Sequence, residues 1–194
     1  MGELVRSVAA YCTRQGLMFG GNGSKELFTP HMFKSAYVSA IESDPKGVYT
    51  NIKASLDEIN LQHATVDDYE NLKLICNRIS TRAAHLASAS LATVLNRIKR
   101  PHTTIGIDGS VYKYHPNFNV LMEKKVAELT NPEYKFTLML SEDGSGRGAA
   151  LVAAVAVRQQ EELKRNQKTK KTSVINGNGD TVFAPAGDVA VANN

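Results

Sequence analysis

One periodic run, between Thr65 and Pro101, limits what this chain can fold into. Thr65-Val66-Asp67-Asp68 has the form of a capping box, with Thr65 as N-cap and Asp68 at the third helical position. Leu72, Ile75, Cys76, Ile79, Ala83, Leu86, Leu91, Leu95 and Ile98 then recur every three or four residues, the period of one helix face. Arg97, Lys99 and Arg100 suit the negative end of a helix dipole, and Pro101 stops the run. The pattern predicts a helix of about 30 residues, roughly 45 Å long. Its middle, 83–92, is mostly alanine and serine, so other backbones can come close. That makes it a central helix rather than a surface one.

Two similar units follow it. Thr103-Thr104-Ile105-Gly106-Ile107 is β-prone and leads at once into Asp108-Gly109-Ser110, then into a helical stretch carrying Phe118, Leu121, Met122, Val126 and Leu129. Phe136-Thr137-Leu138-Met139-Leu140 leads into Ser141-Glu142-Asp143-Gly144-Ser145-Gly146-Arg147-Gly148, then into a helix expected from Ala149 to about Arg165. Asp-Gly-Ser thus closes both strands, one βα unit used twice. Strands separated by helices predict an α/β sheet covered on both faces. Upstream, 3–15 reads as an amphipathic helix stopped by Gly16, and 47–60 as another, with Val48, Ile52, Leu56 and Ile59 on one face. From Lys164 the period is lost, and the polar stretch 164–194 is expected to be a disordered tail behind a 1–163 domain.

Charge narrows the partners. The 23 basic and 19 acidic residues give +4, but five of the basic and only two of the acidic residues lie in 164–194, which accounts for +3. The near-neutral body argues against a nucleic-acid partner. No apolar run reaches the roughly 20 residues that span a bilayer. Two cysteines, Cys12 and Cys76, are too few for a disulfide scaffold and sit on apolar faces as core thiols. With no signal-peptide pattern after Met1, the expected setting is cytoplasmic.

Chemistry, if present, belongs beyond the carboxyl ends of the strands, where α/β sheets hold their ligands. Glycines there let the main chain approach a ligand, and serine hydroxyls and amides donate to phosphate or ribose oxygens. The alternative is that each Asp-Gly-Ser only turns the chain. Asp108, Glu142 and Asp143 are the carboxylates of this region, and each reads as a cap or turn residue rather than a general base. The glycines of 20–23 lack the Lys-Ser/Thr pair of a phosphate loop and read as a turn. The five histidines show no metal spacing, so no metal site is expected.

These residues resemble a known family. Ile105-Gly106-Ile107-Asp108-Gly109-Ser110-Val111-Tyr112-Lys113, with His115-Pro116 after it, is similar to the adenosine motif of eukaryotic hexokinases. The stretch 140–151 is similar to their second connecting motif. Blocks at 1–6, 38–44 and 80–85 agree in the same order, so the resemblance covers about 1–163. It implies a partial, helix-rich actin-like ATPase (ribonuclease H-like) fold and phosphoryl transfer from MgATP to the 6-hydroxyl of a hexose such as glucose. Carried over by position, adenosine contacts fall on Asp108, Gly109, Ser110, Val111, Tyr112, Lys113 and Tyr114. Further nucleotide contacts fall on Ser35 and Ser39, where Ser35 keeps the hydroxyl of the family's usual threonine. The family's activator-sensitive last helix corresponds to the region of Val152, Val155 and Ala156.

The resemblance also implies groups that these 194 residues do not supply. The family's Gly-Thr phosphate loop, its general-base Asp and its sugar-holding Asn and Glu have no counterpart here, so no catalytic residue is assigned. ATP is expected as ligand, with Mg²⁺ and the hexose held by an N-terminal half. The chain is accordingly expected to be the adenosine-binding part of a hexokinase, inactive alone. A short, non-catalytic nucleotide-binding or regulatory protein is the alternative.

Overall fold

The computed structural model describes residues 1–141 and 144–175, the side chains of 145 and 167–175 excepted. The chain divides into two compact units, Met1–Glu142 and Asp143–Asn194. The first holds α1 (Gly2–Arg14), a 3₁₀ turn at Phe19–Gly21, α2 (Lys25–Phe28), α3 (Ser35–Ser43), α4 (Thr50–Asp57), α5 (Val66–Ile98), β1 (His102–Ile107), α6 (Ser110–Tyr114), α7 (Phe118–Leu129) and β2 (Lys135–Leu140). What is described of the second is α8 (Gly144–Ile175).

The capping box and the long helix form as the sequence predicts. The Thr65 hydroxyl accepts the Asp68 N–H, Asp68 accepts the Thr65 N–H, and α5 runs 33 residues. Asp68 does a second job, accepting the Phe19 N–H at 2.6 Å and so tying the glycine turn to the start of α5. Burial alone would raise the Asp68 carboxyl, but these backbone donors and the Thr65 hydroxyl hold it below its ordinary value. The turn itself needs glycine, since Gly20 and Gly21 have φ of 58° and 78°.

The buried stripe of α5 is Leu72, Cys76, Ser80, Ala84, Ser88, Ala92 and Leu95, almost strictly every fourth residue. Two serines lie on it where the apolar reading passed them over, while Leu86 and Ile98, read as core, are exposed. Along its first half the stripe meets Val5 and Ala9 of α1, Val38 and Ile41 of α3, and Ile52 and Leu56 of α4 in a core of large side chains. Along its second half it meets α7, around Ala84, Phe118 and Met122. The small residues let α7 approach until the Ser88 hydroxyl reaches the Met122 carbonyl at 3.3 Å.

β1 and β2 pair in parallel, with Ile107 opposite Leu140, so both strands finish at the same end of the sheet. The expectation of a sheet covered on both faces does not hold for the described residues. Thr103, Ile105 and Ile107 turn inward with Phe136, Leu138 and Leu140, while the residues between them are exposed. The alternation was already in the strands: His102, Thr104, Gly106, Lys135 and Thr137 are poor core residues, and period two puts them on one side.

α8 differs from its sequence reading at both ends. It starts at Gly144 rather than Ala149, because glycine disfavours a helix by only about 1 kcal/mol per residue and the alanine-rich run behind it propagates well. It continues through Ile175, into the polar stretch read as tail, since Lys, Arg, Gln and Glu are good helix formers without any apolar period. The remainder of that stretch, 176–194, lies outside the described residues.

Candidate functional site

Two elements from opposite ends of the first unit meet in a cavity of about 250 Å³, with Ser35, Ala36 and Ser39 of α3 on one wall and Ser110, Val111 and Tyr114 of α6 on the other. Positions 35 and 39 are one helical turn apart, as are 110 and 114, so each pair faces the cavity together. The wall of α3 is fixed from below by Tyr37, Val38 and Ile41 in the large core. That of α6 is fixed by Val111 and Tyr112, which pack on the second cluster.

The Ser35 hydroxyl accepts the Gly2 N–H at 3.1 Å, which leaves its own proton to donate. A side chain at Gly2 would run into the Phe33 carbonyl and the backbone that leads into Ser35. Glycine there is what lets α1 start against this wall. At the opposite wall Gly109 has φ of 151°, a conformation glycine adopts readily, and space around it is open. Tyr114 is 69% exposed and presents its ring at the mouth.

Of the nine positions drawn from the sequence, five line this cavity: Ser35, Ser39, Ser110, Val111 and Tyr114. Asp108 and Gly109 are exposed in the loop that leads into α6. Tyr112 is turned away, and burial with the nearby Glu123 charge pushes its hydroxyl above the ordinary value. Lys113 is exposed, its ammonium 5.5 Å from the centre of the Tyr114 ring. Ala36 completes the apolar part of the lining, and no charge or motif singles it out in the sequence. Glu142 and Asp143, the carboxylates of the second loop, lie outside the described residues. Neighbouring Lys34 is committed elsewhere, its ammonium 2.9 Å from Glu58, which raises its pKa.

The lining therefore offers four hydroxyls, three of serine and one of Tyr114, with an apolar strip and an aromatic edge, and none of these lining residues is cationic. Its volume falls below the roughly 300–1,000 Å³ of complete small-molecule sites, so it accommodates part of a ligand. Sugar and base edges match such a lining; a triphosphate does not. Cys76, by contrast, is a core thiol: burial, with the charge of Glu42, pushes it well above the ordinary thiol range. Among the described residues no group of three or more His, Cys, Asp or Glu could hold a metal ion, and no helix is long and apolar enough to cross a membrane.

A parallel βα pair with a long helix laid across one face is a part of the actin-like ATPase fold, an architecture that includes phosphotransferases. The chain belongs to the hexokinase family, whose sequence model matches residues 1–155. It is 41% identical over 168 residues to a hexokinase of Brugia malayi and 39% identical over 168 residues to human Hexokinase-1, alignments that take in 87% and 84% of this chain. They cover 29% and 18% of those proteins, so the chain spans less than a third of the relatives it matches. The solved structure of Schistosoma mansoni hexokinase complexed with glucose superposes with a TM-score of 0.75 at 36% identity, over 79% of this chain and 35% of that one.

Proposed function

We propose that the cavity between α3 and α6 holds the adenosine portion of ATP in an enzyme that phosphorylates a hexose, such as glucose, at its 6-hydroxyl. The observation that carries the reading is the meeting of two distant sequence segments in one pocket of suitable size and polarity: Ser35, Ala36 and Ser39 with Ser110, Val111 and Tyr114. Ser110 and Ser39 would donate to ribose and base oxygens and nitrogens. Val111 and Ala36 would contact the apolar faces of sugar and base, and Tyr114 would cover the open side. Gly109 would let the main chain come near without a Cβ in the way.

Phosphoryl transfer depends mostly on positioning and on stabilising charge. The pocket lining supports the first of these for one end of the nucleotide and has no cation for the phosphates. The phosphates, their Mg²⁺ and the sugar are therefore to be held by groups other than this cavity, together with a base for the 6-hydroxyl, which contributes roughly 10²–10⁴-fold. The 194 residues by themselves bind ATP weakly and do not phosphorylate glucose. A cytoplasmic, reducing setting, and a role at the entry to glycolysis, fit this reading and the two free thiols.

Calorimetric titration with ATP, alongside a coupled assay for glucose 6-phosphate, tests the proposal. The expected results are weak binding that Val111→Trp abolishes by filling the cavity, and background activity. Submicromolar affinity, or activity that survives repurification, would contradict it.

A further inference from the structure

Behind the cavity, the same two walls are joined by a buried polar pair that the reading above leaves without a purpose. Glu42 lies on α3 one turn beyond Ser39, and His115 follows Tyr114 as the C-cap of α6, its N–H donating to the Val111 carbonyl at 3.0 Å. Their side chains are 3% and 0% exposed, and His115 Nε2 lies 3.3 Å from Glu42 Oε1. Glu42 also accepts from the Ser80 hydroxyl at 2.6 Å and from the Asn77 amide at 3.4 Å, which ties it to α5.

The imidazole is held from its other side. The Asn117 N–H donates to Nδ1 at 3.3 Å, which assigns the ring proton of the neutral imidazole to Nε2, and the ring packs edge-on against Phe118 with centroids 5.9 Å apart. Nε2 therefore faces the carboxylate carrying a proton, yet the two are misaligned and Nε2 has no hydrogen-bond partner. A buried donor left unpaired beside a carboxylate is costly, and a small relative shift of α3 and α6 would pair it. Such a shift changes the width of the cavity, because the pair and the lining ride on the same two helices.

We propose that His115 and Glu42 are positioning residues: nucleotide draws α6 toward α3, the Nε2–H of His115 meets the Glu42 carboxylate, and that hydrogen bond sets the width of the adenosine cleft. The inference rests on the nucleotide reading of the cavity. It adds a group that touches no ligand, and it ties ligand affinity to a bond buried beneath the pocket.

Nitrogen-15 NMR of the full chain, titrated with ADP, separates the two readings. The expected result is that the amides of Gly109 and Ser110 shift with ADP and that the His115 ring, seen in the Nε2–H form, shifts at Nε2 with the same saturation curve. His115→Leu should weaken ADP binding roughly tenfold, the effect of one buried carboxylate losing its donor, and His115→Gln, which keeps a donor, should recover most of it. Movement at Gly109 and Ser110 with a His115 ring that stays unchanged overturns the positioning role alone. No ADP-dependent shift at any of these groups overturns it together with the nucleotide reading. The ring measurement is made on the unaltered chain, so it decides the matter even where His115→Leu fails to fold.

Discussion

The two halves of α5 are packed in opposite ways. Its first half, from Leu72 to Cys76, lies in a core of large side chains contributed by three other helices and left with almost no exposure. Its second half, from Ala84 to Ala92, lies against α7 and one face of a two-stranded sheet, in a smaller hydrophobic cluster of Ala84, Phe118 and Met122. The candidate cavity sits at the seam, one wall rooted in each half. The difference teaches where stability resides: α3 is rooted in the thick core and α6 in the thinner one.

The contrast is broken most directly by truncation. Leu72→Ala should cost about 3–5 kcal/mol, since a crowded site collapses little around the cavity left behind, and Met122→Ala should stay near the lower figure of about 2 kcal/mol. Urea midpoints measure both, and equal losses would show that the halves are not packed differently. A smaller effect probes the close approach of α7. Ser88→Leu should cost about 1–3 kcal/mol by forcing α7 away, whereas Ser88→Ala should cost under about 1 kcal/mol because only the bonds to the Ala84 and Met122 carbonyls are lost. Thr65→Ala, at the thick end, removes the cap and should cost about 1 kcal/mol.

The gentlest lever is pH. Asp68 is held below its ordinary value, and Glu3 is lowered to about 2, chiefly by the Arg6 hydrogen bond and the His31 N–H, against the opposing effect of burial. Groups depressed in the folded state contribute stability above their unfolded pKa and lose it as pH falls through the folded one. Melting temperature should therefore decline from about pH 4 toward pH 2. Asp68→Asn should flatten that decline, and an unchanged slope would remove Asp68 from the account.

Much of this was legible in the residues. The Thr65–Asp68 box, the stop at Pro101 and the two strand-to-Asp-Gly-Ser steps are local chemistry, and local chemistry can be read from one chain. The serines of the buried stripe escaped because Ser80 and Ser88 satisfy their hydroxyls on Glu42, Asn77, Ala84 and Met122, partners a periodicity reading does not see. α3 escaped as an element for a similar reason: its capping is weak and its burial comes from α1, α4 and α5. At the site, Ser110 and Tyr114 came from a motif, but Tyr112, between them, points into the core. A five-residue helix sends neighbours to different sides, and no motif conveys that.

The central claim is that α3 and α6 form the walls of an adenosine cleft. Isotope-filtered NOEs between ADP and the methyl-labelled chain test it without a mutation. The account requires ribose or base protons to show NOEs to the methyls of both Ala36 and Val111. NOEs confined to another cavity, such as the one lined by Ala127, Thr130 and Phe136, would contradict it.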